Sequence, residues 1–410
     1  MLAPTAQDDT IDTKWSVVAY KKNQKVRKAL LHLYQEGPCT LAKLAEVLHT
    51  SIPSATNIID QLVAEGWVNT FGTVSGNNGR RPVLFSLNPV GHYVLVVDGN
   101  THGTRLSVVN LAREVIVERS DDTVLEDSPD FSNFLVSFVT DTLAQSGIAK
   151  SDIIGIGLSL PGLIDSRNGL NLSYPNLGEA GQSLTAWLER QWELPVFMLN
   201  DTKATVLGEH RFGSGQGKQH VLAINIDWGV GLGIISNGEV FQGASGFAGE
   251  LGHIQADPDG ELCYCGKIGC LDTLTSASSL VRRVQQGVMA GKATKLAMYS
   301  HDPGQITINH VVEAASQGDA FTIDLLHETG YRLGKGLAIA ITLFNPEIII
   351  VDGVLAEASL FITNSIQQAI NKYCLSGFRN DLTLEVTKLD GAAKWLGTHA
   401  YVIENLFANT

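Results

Sequence analysis

Long apolar stretches are missing from this sequence. No hydrophobic run approaches the ~20 residues that a membrane helix needs, and the longest, around Leu337–Phe344, stops at Asn345-Pro346. Met1 to Lys14 is acidic and lacks the apolar core of a secretory leader, so neither a leader nor membrane insertion is expected. Cysteine is scarce, five in 410 residues, which argues against a disulfide-stapled scaffold. Charged residues make up only 17% against 44% hydrophobic, which excludes a mostly disordered chain and allows a sizeable core. The expectation is a soluble cytoplasmic protein of two or three globular units.

An excess of basic residues is missing too. The net charge of −13 by itself argues against a nucleic-acid partner. Its distribution reverses that reading: residues 1–90 carry nine Lys/Arg against seven Asp/Glu, a net +2, and residues 91–410 carry 20 against 35, a net −15. A basic cluster (Lys21, Lys22, Lys25, Arg27, Lys28) and the pair Arg80-Arg81 both fall in the first part. A slightly basic head and an acidic body are therefore different domains.

In the head, Val26, Ala29, Leu30 and Leu33 recur at helical spacing and Gly37-Pro38 ends the helix. Thr40 is placed to cap a short helix with Leu41, Leu44, Ala45 and Leu48 on one face. Ser51 is placed to cap a third, Ile52–Glu65, with Pro53 in its first turn, Gly66 as its stop, and Ala55, Ile58, Ile59 and Leu62 inward. Trp67–Thr70 and Val83–Leu87 then read as two strands around a polar loop. Three short helices and a hairpin make a winged helix-turn-helix over residues 1–90.

The body opens with strand-like runs at Tyr93–Asp98, Leu106–Asn110 and Val115–Glu118. A similar triplet recurs about 130 residues later at His220–Asp227, Leu232–Ser236 and Val240-Phe241. Alternating helix and strand signals follow each triplet, including Ile153–Leu160 and Ile348–Val351. The repeat implies two related α/β lobes around a cleft, residues 91–205 and 206–390. A last helix, about Ala392–Phe407 within residues 391–410, is able to pack on either lobe.

The strongest chemical signal is Gly-His-x9-Cys-x-Cys-Gly-x3-Cys, in which Cys263, Cys265 and Cys270 follow His253. Three of the five cysteines fall within eight residues. Three thiolates and one imidazole meet the tetrahedral preference of zinc, and a full ligand set without an open position makes the ion structural.

The run Gly246-Phe247-Ala248-Gly249-Glu250-Leu251-Gly252-His253, leading into Cys263-Tyr264-Cys265-Gly266-Lys267-Ile268-Gly269-Cys270, resembles the signature of the ROK family of repressors and sugar kinases. Gly157–Gly162, Pro175-Asn176-Leu177, Asn200-Asp201 and the Gly79-Arg80-Arg81-Pro82 wing agree with it, so the resemblance spans nearly the whole chain. It points to the regulator branch typified by the N-acetylglucosamine and xylose repressors. It implies an α/β fold: an N-terminal winged helix-turn-helix, then a two-lobed ribonuclease-H-like (actin/hexokinase-like) body that assembles as a homodimer or homotetramer. It also places Asn176, Asn200, Asp201, Glu250 and His253 around a sugar, with Asp201 matching the base that deprotonates the attacking hydroxyl in the kinases. Where the family usually has glutamate this chain has Asp272, one methylene shorter, which suits a different contact or a different sugar. The plainer alternative is that Asn200 and Asp201 only cap the following helix.

The resembling kinases cradle phosphates with Asp-x-Gly-Gly-Thr after the first strand and Gly-Thr-Gly in the second lobe. Here these positions read Asp98-Gly99-Asn100-Thr101-His102 and Asp227-Trp228-Gly229-Val230-Gly231, and the late glycine run reads Asp352-Gly353-Val354. An indole and a carboxylate crowd and repel a triphosphate, and no Arg or Lys lies between Gln219 and Phe241 to compensate. Gly229, Gly231 and Gly233 then serve close strand packing.

On the head, Ser54, Thr56, Asn57 and Gln61 remain on the outer face of the third helix, where Asn and Gln suit bidentate contacts to adenine. Arg80 and Arg81 before the rigid Pro82 suit a narrow minor groove. The reading is a sugar-responsive regulator, a repressor, with operator DNA and a sugar or sugar phosphate as partners and structural zinc. The competing readings are an ATP-dependent sugar kinase that keeps a DNA head, and a regulator whose input is a partner protein.

Overall fold

The computed structural model describes residues 17–73, 82–179 and 182–407. Its head runs α1 (Val17–Glu36), β1 (Cys39–Thr40), α2 (Leu41–Val47), α3 (Ile52–Ala64), β2 (Val68–Thr73) and β3 (Val83–Leu87). The apolar stripe of α3, Ala55, Ile58, Ile59 and Leu62, is buried as its spacing requires. Thr40 caps α2 by accepting from the Lys43 amide at 3.2 Å. Ser51 stands at the N-cap of α3 but its hydroxyl makes no capping bond. Pro53, second in the helix, has no N–H to offer it. The short β1, which periodicity does not reveal, pairs with β3 and turns the expected hairpin into a three-stranded sheet.

Two five-stranded sheets form the body, and they repeat one topology. The first contains β4 (Tyr93–Asn100), β5 (Gly103–Asn110), β6 (Val115–Asp121), β7 (Ile153–Leu160) and β10 (Val196–Asn200), with α4 (Pro129–Ser146), the small β8 (Ile164–Asp165) and β9 (Leu170–Asn171) pair, and α5 (Leu184–Trp192) between them. The helix α6 (Asp201–Phe212) leads on to β11 (Val221–Ile226), β12 (Val230–Ser236) and β13 (Glu239–Val240). Four helices follow: α7 (Asp272–Thr275), α8 (Ala277–Met289), α9 (Ile308–Ser316) and α10 (Ala320–Phe344). The chain ends with β14 (Ile348–Asp352), α11 (Ser359–Tyr373), β15 (Thr383–Val386) and α12 (Ala393–Phe407). The strand orders are β6-β5-β4-β7-β10 and β13-β12-β11-β14-β15, each an antiparallel triplet with two parallel strands added beside its first strand.

Two helices join the sheets. The α6 helix packs on β11 and β12 of the second sheet, and α12 returns along it to lie on β4 and β7 of the first. The stretch Thr202–His210 is consequently buried on every side. The pair cross backbone to backbone, because a Cβ on Gly208 would overlap the Ala393 carbonyl and one on Gly397 the Ala204 carbonyl.

The same α12 fastens the head to the body. Buried Tyr34 of α1 brings its hydroxyl to 2.7 Å from His399 Nδ1. Arg113 donates to the Tyr34 carbonyl at 3.1 Å and lies over the Phe212 ring. Trp67 stacks on His92 at 3.7 Å and meets Phe407 edge-on. One apolar core therefore runs from the head through α12 into the first sheet.

Candidate functional site

Parallel strands end at the same edge of each sheet, so loops after their C-termini gather polar groups into the cleft. At the end of β10, Asn200 caps α6: its carbonyl oxygen accepts from the amides of Thr202 and Lys203, and its amide donates to the Gly162 carbonyl at 3.0 Å. The capping function foreseen for it is present, and it also ties the Pro161-Gly162 loop in place. Asp201 follows, with one carboxylate oxygen accepting from the Thr202 amide at 2.7 Å. Burial pushes the Asp201 carboxyl above its ordinary value, and Asp98 and Asp227 add to that while Lys394 opposes it.

Glu250 comes to 3.8 Å from His253 Nε2. Burial pushes the Glu250 carboxyl up as well, against the pull of His253, Lys203 and Lys267. Lys203, buried on α6, reaches toward the same loop and donates to the Gly246 carbonyl. Sequence reasoning missed it; its one signal was a lysine in an otherwise small and apolar stretch. Asn176 lies on the surface, its backbone and side-chain amides both donating to the Asp127 carboxylate at 2.7 and 2.8 Å. Asp272 is buried and accepts from the Val230 amide at 2.8 Å. The structure thus sets Glu250 beside His253 at one end of the cleft, keeps Asn200 and Asp201 at the β10–α6 junction with Asp201 in electrostatic reach of Asp98 and Asp227, and gives Asn176 and Asp272 partners within the protein.

Behind Glu250, the ligand atoms of His253, Cys263, Cys265 and Cys270 all lie within 4.8 Å of one another. A tight hairpin builds this cluster: Cys263 and Gly266 bond across a turn, Gly269 donates to the Glu261 carbonyl, and Leu271 to that of Ile254. Cys265 and Cys270 Sγ are 3.6 Å apart, and Cys263 Sγ is 3.7 Å from His253 Nδ1. Metal–sulfur bonds of about 2.3 Å in a tetrahedron put neighbouring ligands about 3.8 Å apart, so the spacing fits a four-coordinate ion. His253 Nδ1 faces the thiols, while Nε2 meets the Tyr264 hydroxyl at 3.0 Å. The four residues could hold a metal ion.

At the other end, the turn after β4 meets the turn after β11, the His102 and Trp228 rings lying edge-on at 4.9 Å. The segment around Asp227 offers it no ion pair among the described residues, but a lysine from elsewhere in the chain comes within electrostatic reach. Lys394, from the first turn of α12, enters the cleft with Nζ 3.3 and 3.5 Å from the Asp98 oxygens and within electrostatic reach of Asp201 and Asp227. No local pattern announces this lysine, which stands far along the chain from the acids it serves. A Cβ on Gly231 or Gly233 would strike Thr202 or Val206 of α6, so these two glycines do serve close packing.

On the head, Asn57 is exposed and Ser54 half-buried on α3. The Thr56 hydroxyl donates back to the Ile52 carbonyl at 2.9 Å, and the Gln61 amide to Glu65 at 2.9 Å. Arg80 and Arg81 lie outside the described residues.

Comparison with known proteins agrees with this arrangement. Residues 27–70 match the MarR family. Over 356 residues the chain is 28% identical to the DNA-binding transcriptional dual regulator NagC of Escherichia coli K12, covering 87% of this chain and 86% of that one. A glucokinase of Halalkalibacterium halodurans is 35% identical over 250 residues, 61% of this chain and 76% of the kinase. The solved structure of a ROK family transcriptional regulator, a homologue of the E. coli MLC protein, superposes with a TM-score of 0.81 at 30% identity, over 95% of this chain and 97% of the other. Residues 94–405, most of the chain, match the ROK family itself, and the protein belongs to that family.

Proposed function

We propose that this protein is a sugar-responsive DNA-binding transcriptional regulator acting as a repressor, with residues 1–90 as its reading head. The observation that carries the proposal is the joint between head and cleft. The α12 helix bonds to the head through His399 and Phe407 and packs along α6, the helix that begins at Asp201. A change in lobe closure therefore moves the surface that carries α3. For sugar to act through it, sugar must favour one lobe arrangement over the other, typically by ~1–3 kcal/mol.

In this reading Asn200, Asp201, Glu250 and His253 hold a sugar or sugar phosphate, because sugar hydroxyls select sites with paired, directed donors and acceptors. Asn176 and Asp272 would join only by giving up their present partners. Zinc is the ion that three thiolates and an imidazole suit, and His253, Cys263, Cys265 and Cys270 would hold it as a structural brace for the Glu250 loop. Ser54, Thr56, Asn57 and Gln61 would face the major groove, with Arg80 and Arg81 beside the backbone or minor groove. A homodimer or homotetramer is the assembly that the resemblance to the regulator branch implies.

The nucleotide end supports a non-enzymatic role, since Trp228 and His102 close on each other where phosphates would need open backbone amides. The kinase reading keeps one observation in its favour, the retained Asp201 in a relative of a glucokinase. A thermal-shift screen of sugars and their 6-phosphates, followed by operator release and a coupled ADP assay with each hit, tests both. A ligand that stabilises the protein and releases DNA without ADP is expected; ADP formation abolished by Asp201→Asn would make the chain an enzyme.

A further inference from the structure

The start of α6 holds two loops, one from each lobe. Asn200, its cap, donates from the side-chain amide to the Gly162 carbonyl at 3.0 Å, just before β8 of the first lobe. Lys203, in the first turn, donates from Nζ to the Gly246 carbonyl, in the second-lobe loop that carries Glu250. The two loops also meet each other. Gly246 has φ +84°, and a Cβ built there would stand 2.5 Å from the Ile164 carbonyl oxygen and 3.4 Å from Asp165 Cα. Glycine alone lets one backbone pass another so closely in that conformation. The contacts close a ring: Asn200 to Gly162, along the chain to Ile164, across to Gly246, and back through Lys203 to α6.

Each loop is stiffened from behind. In the first lobe Asn171 donates to the Pro161 carbonyl at 3.1 Å, and the Leu172 amide to the Leu163 carbonyl at 2.8 Å. In the second the Ala248 amide donates to the Gln242 carbonyl at 3.0 Å. Packing does not explain why the joining residue is a lysine. Its side chain lies in a residue only 5% exposed, and burying an ammonium carries a cost that a methionine of similar length avoids. Burial pulls the Lys203 ammonium below its ordinary value, and the Glu250 carboxylate opposes that. What lysine supplies and methionine lacks is a directed N–H donor that reaches from helix to loop backbone.

We propose that Lys203 is a positioning residue of the sugar site, the clasp by which α6 holds the Glu250 loop against β8. Glu250 of the second lobe and the Asn200-Asp201 corner then keep one spacing. Directed donors and acceptors separate one sugar from another best when their spacing is set before the ligand arrives. This role deepens the sugar-responsive reading and rests on it for the ligand alone.

Hydrogen exchange of the full chain without ligand reads both sides of the clasp, at Ala248 in one lobe and Leu172 in the other. In Lys203→Met both amides are expected to exchange about tenfold faster or more. Cys263, bonded to the Lys267 carbonyl in the cysteine hairpin, and the head are expected to keep their rates. Gly246→Ala, which forces the loop off β8 from the other side, is expected to give the same pattern, and the double variant no more than either alone. An unchanged Leu172 in folded Lys203→Met, or additive effects in the double variant, overturns the clasp. So does a uniform rise over the whole chain, which marks a lysine that only stabilises. Should Lys203→Met fail to fold, Lys203→Gln, whose shorter donor stops short of Gly246, is held to the same outcomes, and its failure to fold would also overturn the proposal. In calorimetry with glucose, N-acetylglucosamine and xylose, Lys203→Met is expected to bind whichever sugar the wild type binds about tenfold more weakly; equal affinity overturns the positioning role. A wild type that binds none of the three counts against the sugar reading, while the exchange rates, measured without ligand, still decide the clasp.

Discussion

Around Asn200, Glu250 and His253 the cleft offers hydrogen-bonding groups whose loops are braced by helix capping and a four-ligand cluster. Elsewhere in the cleft a lysine is paired with Asp98, and Trp228, next to Asp227, lies edge-on against His102. Both ends are made the same way, from loops at the C-terminal edge of equivalent sheets, and Asp201 lies between them. The difference teaches that recognition and phosphoryl transfer depend on separate parts of one scaffold. Recognition needs side chains fixed in direction, whereas a phosphate cradle needs bare backbone amides and room for a metal. A bulky side chain in a loop removes the second without touching the first.

The largest expected effect strikes the bracing of the sugar end. Cys265→Ser should abolish the bound metal and, by loosening the Glu250 loop, the response to sugar; elemental analysis and operator release with and without sugar measure the two. Carefully purified wild type with no metal would defeat the brace. Between the two ends, Asp201→Asn should weaken sugar binding by about tenfold or more, since it removes an anionic acceptor, as calorimetry would show. If sugar affinity is unchanged, the contrast between the two ends loses its basis.

The comparison extends to the joint that carries any signal to the head. Tyr34→Phe leaves a buried ring nitrogen of His399 without its partner and should cost ~1–3 kcal/mol in denaturant melts. Burial, with Arg113 nearby, lowers His399 to about 3, against ~6.5 in an unfolded chain. The folded protein therefore keeps this ring neutral, and its contribution is complete above pH ~6.5 and lost as the pH falls toward 3. Melts of His399→Gln should lack that part of the acid sensitivity. The smallest and most local effect belongs to Asn57→Ala, which should cost ~1–3 kcal/mol at one base position and relax preference there. Binding assays across operator variants would read it; a uniform loss at every position would instead mark Asn57 as a backbone contact.

Much of this was legible in residue order, since the lobe repeat, the three head helices and the His253 to Cys270 cluster follow from periodicity and ligand spacing. These are local properties: side chains at 3.6 or 2 residue intervals share a face, and ligands on one hairpin share an ion, whatever the rest of the chain does. The short β1 escaped because two residues carry no period. The close crossing of α6 and α12 escaped because small glycines only become contacts when a second backbone arrives. Charge at the cleft was the clearest division. Residue order showed Asp98 and Asp227 as strand-end acids, and the nearest stretch of chain offered Asp227 no cation. Only the return of α12 along α6 delivered Lys394 to Asp98 and into electrostatic reach of Asp227, because electrostatic energy depends on distance in space and not on separation along the chain.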